Sequence, residues 1–117
     1  MQQKIIYLAI PYTWNPEKSF EIANKVAAKL MKEGHIVFSP ISHSHVIADY
    51  LDNNLRTSQK FWMYQDIPIL KVCSELHVIV IGKDGQKLIS ESKGCMREIR
   101  EAKDERKPVK YVYYEDE

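Results

Sequence analysis

The chain has 117 residues, a length typical of one domain built around a single core. With 44% hydrophobic and 28% charged residues, its composition is that of an ordinary soluble globular protein. Its 17 basic and 16 acidic residues give a net charge of +1, so no strong field attracts a nucleic-acid polymer or a membrane, and a small-molecule partner is favoured.

Three further features concern the compartment of the protein. The longest apolar run, residues 78–81, is far too short to cross a bilayer. The N-terminus has no apolar segment of the signal-peptide kind, so we expect a cytoplasmic protein. Cys73 and Cys95 form no CxxC motif, and we interpret them as reduced, partly buried thiols.

The first half of the chain alternates strand and helix signals. An apolar run over residues 4–10 predicts a strand buried on both faces. Residues 16–34 have the proline start, the apolar spacing and the glycine end of a helix. Residues 35–39 form the second predicted strand, and residues 40–45 after it form a predicted loop rich in Ser and His.

The middle of the chain predicts a short helix over residues 46–51 and then a longer one. Thr57 or Ser58 opens the longer helix, and Pro68 bends it or resets its start. Residues 76–81 are the third predicted strand.

The last third of the chain completes the alternation. Residues 82–85 form a turn-rich loop, and Ser92 caps a helix that runs to about residue 106. Residues 109–114 are the last predicted strand. This order predicts one α/β domain over residues 1–117, with an open parallel sheet of four to five strands and helices on both faces, as in Rossmann-like or flavodoxin-like three-layer folds. Ligands of such sheets bind at the carboxyl ends of the strands, where strand order reverses.

The start of the last helix is a candidate anion site. Ser92 offers a hydroxyl, Gly94 lets a phosphate approach the backbone, and the helix dipole favours an anion. Plain capping is the alternative, and this short motif alone favours it. Glu98 lies one turn further and can face the same crevice as a nucleophile, a base or a ligand to a hydroxyl. On spacing alone, a surface glutamate is the more favoured interpretation.

Aromatic and imidazole side chains are the next candidates. Tyr7 and Tyr12 can stack on a base or orient a carboxylate, with core packing as the alternative for Tyr7. In an extended loop, His43 and His45 point the same way. They favour substrate contacts over a metal site, because Asp49 is only a weak third ligand.

Asp66 is unfavourable in mid-helix and therefore needs a reason. Either it caps the segment that begins at residues 67–68, or it reaches a ligand. The nearby Pro68 favours capping.

Five segments follow one another in an order that covers nearly the whole chain. They are Ile6-Tyr7-Leu8-Ala9-x-Pro11-Tyr12, Val37-Phe38-Ser39-Pro40-Ile41-Ser42-His43-Ser44-His45, Trp62-Met63-x-x-Asp66, Cys73-x-Glu75-Leu76-x-Val78 and Ser92-x-Gly94-x-x-x-Glu98-Ile99-x-x-Ala102. The ordered set resembles the nucleoside 2-deoxyribosyltransferase-like superfamily. Within it, the chain looks closest to a small branch catalogued as a domain of unknown function.

The resemblance implies an enzyme that cleaves or exchanges the N-glycosidic bond of a nucleoside or nucleotide, with no metal and no cofactor. Glu98 would be the nucleophile that attacks the anomeric carbon, and Tyr7 would hold its carboxylate. Asp66 would help to protonate the leaving base. Ser92 and Gly94 would hold the 5′ end of the sugar.

The resemblance also implies the remaining contacts and the assembly. Five further residues are expected to bind substrate: Pro11, Tyr12, His43, His45 and Trp62. Members commonly form homo-oligomers, here a dimer or tetramer, for which four aromatic side chains are interface candidates: Trp14, Phe61, Trp62 and Tyr64.

Two departures from the pattern of this superfamily bear on the identity of the substrate. Ser92 stands where the classical transferases have an acidic residue, which favours a nucleoside 5′-monophosphate as ligand and water as acceptor. The polar loop over residues 82–91 is longer than expected for the branch, which indicates a changed substrate or a lost activity. A non-catalytic nucleotide-binding or sensing module, and a structural domain without ligand, are the alternatives.

Overall fold

The computed structural model describes residues 3–115 and contains one parallel sheet. Its four strands are β1 (Ile5–Ala9), β2 (Ile36–Phe38), β3 (Glu75–Ile81) and β4 (Val109–Tyr114). They lie in the order β2-β1-β3-β4, and every neighbouring pair is parallel. The predicted α/β class and open parallel sheet are therefore confirmed, with the smaller of the two expected strand numbers.

Helices connect the strands. Six α-helices and one 3-10 turn lie in the described part of the chain: α1 (Pro16–Lys32), α2 (Pro40–Ile47), the 3-10 turn (Ala48–Tyr50), α3 (Asn53–Arg56), α4 (Gln59–Val72), α5 (Gly85–Ser90) and α6 (Lys93–Asp104). Among these residues no helix is both long and apolar enough to cross a membrane.

Each face of the sheet has its own core, which makes the fold three-layered. On one face, side chains from β1 and β3 pack against α1: Leu8, Ile10, Ile22, Ala23, Val26, Ala27, Ile79 and Ile81. On the other face, β1 and β3 pack against α4, α5 and α6: Tyr7, Ala9, Ile67, Leu70, Cys73, Leu76, Val78, Val80, Ile89, Cys95, Ile99 and Ala102. Side chains of successive strand residues alternate between the two cores, and this alternation directs Tyr7 towards α4 and α6.

The ends of α1 follow the sequence signals. The Asn15 side chain accepts a hydrogen bond from the Lys18 amide at 3.2 Å, and Pro16 occupies the first helical position. After the last turn, Gly34 adopts φ of 97°, in the left-handed region that glycine tolerates best. The predicted helix over residues 16–34 is confirmed, with its end at Lys32.

The predicted loop over residues 40–45 is wrong, because these residues form most of α2. Pro40 begins this helix after an extended Ser39, and the Ser42 hydroxyl bonds Ser39 Oγ at 2.7 Å and Asn24 Oδ1 at 2.5 Å. Ser and His favour loops by propensity, but packing against α1 overrides that preference here. The short helix predicted over residues 46–51 is the end of α2 followed by the 3-10 turn.

Two further helices differ from expectation. Pro68 lies inside α4 without interrupting it, and Ser58 caps that helix by accepting from the Phe61 amide at 3.1 Å. Asp66 is therefore an interior helical residue, and its interpretation as a cap is wrong. The polar loop predicted over residues 82–91 contains α5.

The strand order places a topological switch between β1 and β3. The chain leaves β1 towards β2 on one side and later returns to β3 on the other. A crevice opens at the carboxyl ends of strands where such a reversal occurs. The segment after β1, the start of α4 and the start of α6 all lie at that end of the sheet.

Candidate active site

Tyr7 and Glu98 form a buried hydrogen bond between the sheet and α6. The Tyr7 hydroxyl donates to Glu98 Oε2. Tyr7 is fully buried, and Glu98 is only 6% exposed, on the inward face of α6 beside Cys95 and Ile99. The interpretation of Glu98 as a surface glutamate is therefore wrong.

Asp66 brings a second carboxyl group to this place from α4. It is 7% exposed, and its charge acts on both Glu98 and Tyr7. Among the described residues, no hydrogen bond or ion pair explains its burial. A helical aspartate without a structural partner, next to a buried glutamate, is typical of a functional carboxyl pair.

Burial changes the acidity of all three groups. Removal from water raises the pKa of Glu98 to about 8; the Tyr7 hydrogen bond lowers it, and the Asp66 charge raises it further. Removal from water also raises the pKa of Asp66 to about 6 and that of Tyr7 far above its usual range. Between about pH 6 and pH 8, the two carboxyls together hold a single proton.

Aromatic side chains border Tyr7 on the β2 side. The ring centroids of Tyr7 and Phe38 are 6.0 Å apart, and those of Phe38 and His43 are 6.3 Å apart. His43 is exposed at the end of this row. Phe38 was not among the predicted site residues, although its position at the end of the second predicted strand is a signal that could have found it.

Tyr12 and His45 meet on the α1 side. Tyr12 Oη lies 2.5 Å from His45 Nδ1, and the His45 ring stacks on Phe20 at 4.2 Å. His43 and His45 therefore have different aromatic neighbours, because α2 is helical and residues two apart diverge. Within residues 3–115, no group of three or more His, Cys, Asp or Glu side chains is arranged to hold a metal ion.

Pro11 and Trp62 have structural contacts. The buried Pro11 carbonyl accepts hydrogen bonds from Ser19 Oγ at 2.6 Å and Trp14 Nε1 at 2.9 Å. Trp62 donates its indole N–H to the Arg56 carbonyl at 2.9 Å, which fixes the start of α4. Its ring lies one helical turn before Asp66, towards the carboxyl end of the sheet.

Ser92 and Gly94 occupy the N-terminus of α6. Ser92 Oγ accepts from the Cys95 amide at 3.2 Å, so the predicted capping is confirmed. A Cβ added to Gly94 would lie 3.8 Å from Met63 Cε and 3.9 Å from the Gln59 amide group, which is ordinary contact. Packing therefore does not require glycine at this position.

A groove of about 680 Å³ lies on the outer side of α4 and α6. Its lining carries three cations over an apolar floor: Gln59, Lys60, Met63, Tyr64, Ile67, Pro68, Lys93 and Arg97. The groove does not include the carboxyl pair. It borders the α6 N-terminus from outside and contributes positive charge near that helix end.

Comparison with known proteins adds a family but no activity. A family model described as Domain of unknown function (DUF1937) matches residues 4–115. No curated protein matches the chain. The functional interpretation therefore depends on the site itself.

Proposed function

The chain belongs to the DUF1937 family, and we propose that it cleaves the N-glycosidic bond of a nucleoside 5′-monophosphate with Glu98 as nucleophile. One observation carries this proposal: a buried glutamate, oriented by a tyrosine hydroxyl, lies near a second buried carboxyl whose charge acts on it. Loss of a base from a sugar passes through an oxocarbenium-like state. Such a state requires a carboxylate on one side of the sugar and an acid near the leaving group.

In the proposed first step, a Glu98 oxygen forms a bond to C1′ while the bond from C1′ to the base nitrogen breaks. The bonding electrons move to the base, which takes the proton of Asp66. The reactive form of the one-proton state has the proton on Asp66 and an ionised Glu98; because Glu98 has the higher pKa of the two, this is the less populated arrangement of that proton. The Tyr7 hydrogen bond holds the Glu98 carboxylate in one orientation.

In the second step, water attacks C1′ of the glycosyl ester. Asp66, now ionised, accepts a proton from that water, and Glu98 leaves as a carboxylate. This return to the starting protonation state follows from microscopic reversibility, as in retaining glycosidases.

Charge at the start of α6 supports a phosphorylated ligand. Ser92 Oγ accepts from the Cys95 amide in the cap, and its hydroxyl lies at the helix N-terminus that a phosphate would approach. Lys93 and Arg97 add positive charge beside the helix N-terminus. A 5′-phosphate is the part of a nucleotide that such a surface would attract.

The proposal is tested by base release from the four 2′-deoxynucleoside 5′-monophosphates and the corresponding nucleosides. We expect release by the wild type, a preference for the phosphorylated form, and at least a thousand-fold loss in Glu98→Ala, on the order seen when a catalytic nucleophile is removed. Equal release by wild type and variant, or no release from any substrate, would contradict the proposal.

A non-catalytic nucleotide-binding or sensing module is the second candidate. Its support is the deep burial of Glu98 together with its raised pKa, since both keep the isolated carboxyl protonated at neutral pH. Such a module would show a nucleotide-dependent rise in melting temperature without any release of base.

A further inference from the structure

A second cluster of polar side chains lies at the carboxyl end of β1, outside the carboxyl pair. Tyr12, in the segment after β1, meets His45 of α2 with 2.5 Å between Tyr12 Oη and His45 Nδ1. On the other side of the imidazole, His45 Nε2 lies 3.2 Å from Oε1 of Glu17 in the first turn of α1. Three elements thus build one row of carboxylate, imidazole and phenol.

The fold holds the imidazole and the phenol of this row in place, while the Glu17 side chain is 85% exposed. Phe20 stacks on the His45 ring with centroids 4.2 Å apart and planes tilted by 23°, and the His45 side chain is 15% exposed. The segment that carries Tyr12 is fixed by the two side-chain hydrogen bonds to the Pro11 carbonyl. The phenol of Tyr12 is therefore held by the fixed backbone of its own segment and by the packed imidazole of His45.

The chemistry of the row determines where its protons lie. A carboxylate only accepts hydrogen bonds, so the Glu17 partner, His45 Nε2, carries the proton of the neutral ring. His45 Nδ1 then has a lone pair and accepts the Tyr12 hydroxyl proton. With that proton used, Tyr12 Oη can only accept from a ligand.

A second proton on the imidazole reverses this arrangement. Nδ1–H then donates to Tyr12 Oη, and the hydroxyl proton becomes free to donate outwards. Among the charges near Tyr12, Glu17 raises its pKa, Arg56 in α3 lowers it, and Asp49 in the 3-10 turn raises it. Burial, the largest influence, also raises the pKa of Tyr12, so the phenol stays protonated in both states.

We propose that Glu17 and His45 set the hydrogen-bonding polarity of Tyr12 towards a ligand in the crevice. With a neutral His45, Tyr12 accepts from an N–H group of the ligand; with a protonated His45, it donates instead and that hydrogen bond is lost. Glu17 and His45 are positioning residues, and Tyr12 is the contact. The inference rests on the proposed function for one point, the class of the ligand, which is a nucleoside.

The first measurement needs no ligand. In a ¹⁵N-labelled protein, the imidazole nitrogen shifts report the tautomer, with His45→Gln identifying the His45 signals. We expect neutral His45 to carry its proton on Nε2, and Glu17→Ala to give a mixture of both tautomers. A proton on Nδ1 in the wild type would overturn the proposal, whatever the outcome for base release.

The second measurement uses the four 2′-deoxynucleosides without phosphate, bound to Glu98→Gln protein so that no turnover occurs. Tyr12→Phe in this background should weaken binding about ten-fold while His45 is neutral, the effect of one hydrogen bond. The difference should vanish once NMR shows His45 protonated. With His45→Gln, whose side-chain oxygen accepts from Tyr12 at every pH, the ten-fold difference should persist.

These results separate the two proposals. A Tyr12→Phe effect that does not change as His45 is protonated overturns the polarity switch and leaves Glu98 catalysis intact. Absence of any nucleoside binding contradicts the proposed function and the ligand contact of Tyr12 together, while the tautomer measurement still decides whether the row itself exists.

Discussion

At the scale of single residues, the burial of Glu98 changes how the sequence is interpreted. Spacing along α6 favours an ordinary surface glutamate, because two other glutamates occur on the same helix and at its end: Glu101 and Glu105. The structure places Glu98 alone among them on the buried face, against Tyr7 and near Asp66. A buried carboxyl pair of this kind lowers stability, so a function is the expected reason for its presence.

The first prediction concerns the pH dependence of base release. Below about pH 6 both carboxyls are protonated and no nucleophile exists; above about pH 8 both are ionised and no acid exists. We therefore expect a bell-shaped profile of kcat/KM with limbs near pH 6 and pH 8, which belong to the pair as a unit. Initial rates from pH 4.5 to pH 9.5 measure it. A rate that rises steadily to pH 9.5 would contradict a role for the shared proton.

The second prediction concerns stability. The pKa of Glu98 is raised from 4.5 to about 8 on folding, so the stability from its protonated form is complete below about pH 4.5 and is lost as the pH rises through 8. Glu98→Gln stays neutral and still accepts the Tyr7 hydrogen bond. The rise in pKa corresponds to about 5 kcal/mol of folding stability at pH 9, so the melting temperature of Glu98→Gln should exceed that of the wild type by roughly 15 °C at pH 9 and by only a few degrees at pH 5.

The control for this comparison is Asp104→Asn, at the exposed last residue of the same helix. It should follow the wild type at both pH values. A Glu98→Gln advantage of equal size at pH 5 and pH 9 would show that ionisation of Glu98 does not strain the fold.

At the scale of elements, α5 and α6 each have a glycine in the first turn, Gly85 and Gly94, and the two form a matched pair. A Cβ at Gly85 would lie 2.4 Å from Val80 Cγ1 and 2.9 Å from the Val80 carbonyl carbon, so α5 must move away from β3 to accept it. The Cβ of an alanine at Gly94 meets only ordinary contacts. Gly85→Ala should lower the free energy of unfolding by about 1–3 kcal/mol, and Gly94→Ala should leave it unchanged or raise it.

Urea unfolding of both variants measures this difference. If Gly85→Ala is as stable as Gly94→Ala, then α5 does not pack on β3 as closely as the Val80 contact indicates. Base release by Gly94→Ala then provides separate information on ligand approach at the start of α6.

The strands could be predicted from sequence, because buried parallel strands give continuous apolar runs. The helices α1 and α6 could also be predicted, and α1 has clear signals at both ends. The helix α2 could not, because its serines and histidines find partners only after folding: Ser42 with Asn24, and His45 with Phe20. The path of α4 through Pro68 is another tertiary effect. Local preference is overridden wherever a neighbouring element supplies the missing contacts.

The candidate site likewise contains residues that the sequence predicts and a contact that only the folded chain shows. Tyr7, Asp66 and Glu98 were identified as a set, through the resemblance, from positions 91 residues apart at the extremes. The partner of His45 was missed, since Glu17 looks like a favourable charge in the first turn of α1. Only the packing of α2 on α1 shows that its carboxylate also reaches an imidazole.

At the scale of the whole molecule, exposed aromatic surface supports the expected homo-oligomer. Of the four aromatic interface candidates, Tyr64 is the most exposed at 78%, while Trp14 is 37% exposed and Phe61 and Trp62 are half-buried. Tyr64 also borders the groove between α4 and α6, whose floor is apolar. An exposed aromatic ring beside an apolar groove is typical of an interface.

We therefore predict a dimer or tetramer that depends on Tyr64. Light scattering should give a multiple of 13.7 kDa for the wild type and a smaller species for Tyr64→Glu. Tyr113→Glu, at a site 73% exposed on the edge strand β4, is the control and should assemble normally. A mass of 13.7 kDa at every protein concentration would contradict the prediction.

The most direct test of the account as a whole is the mass of the protein during turnover. A deoxynucleoside 5′-monophosphate that releases base is mixed with the protein, the reaction is quenched in acid, and the peptides are analysed by mass spectrometry. We predict a sugar-phosphate adduct on Glu98, absent from Glu98→Gln and present in Glu105→Gln. Release of base with an unmodified Glu98 throughout, or with the adduct on another residue, would contradict its assignment as the nucleophile.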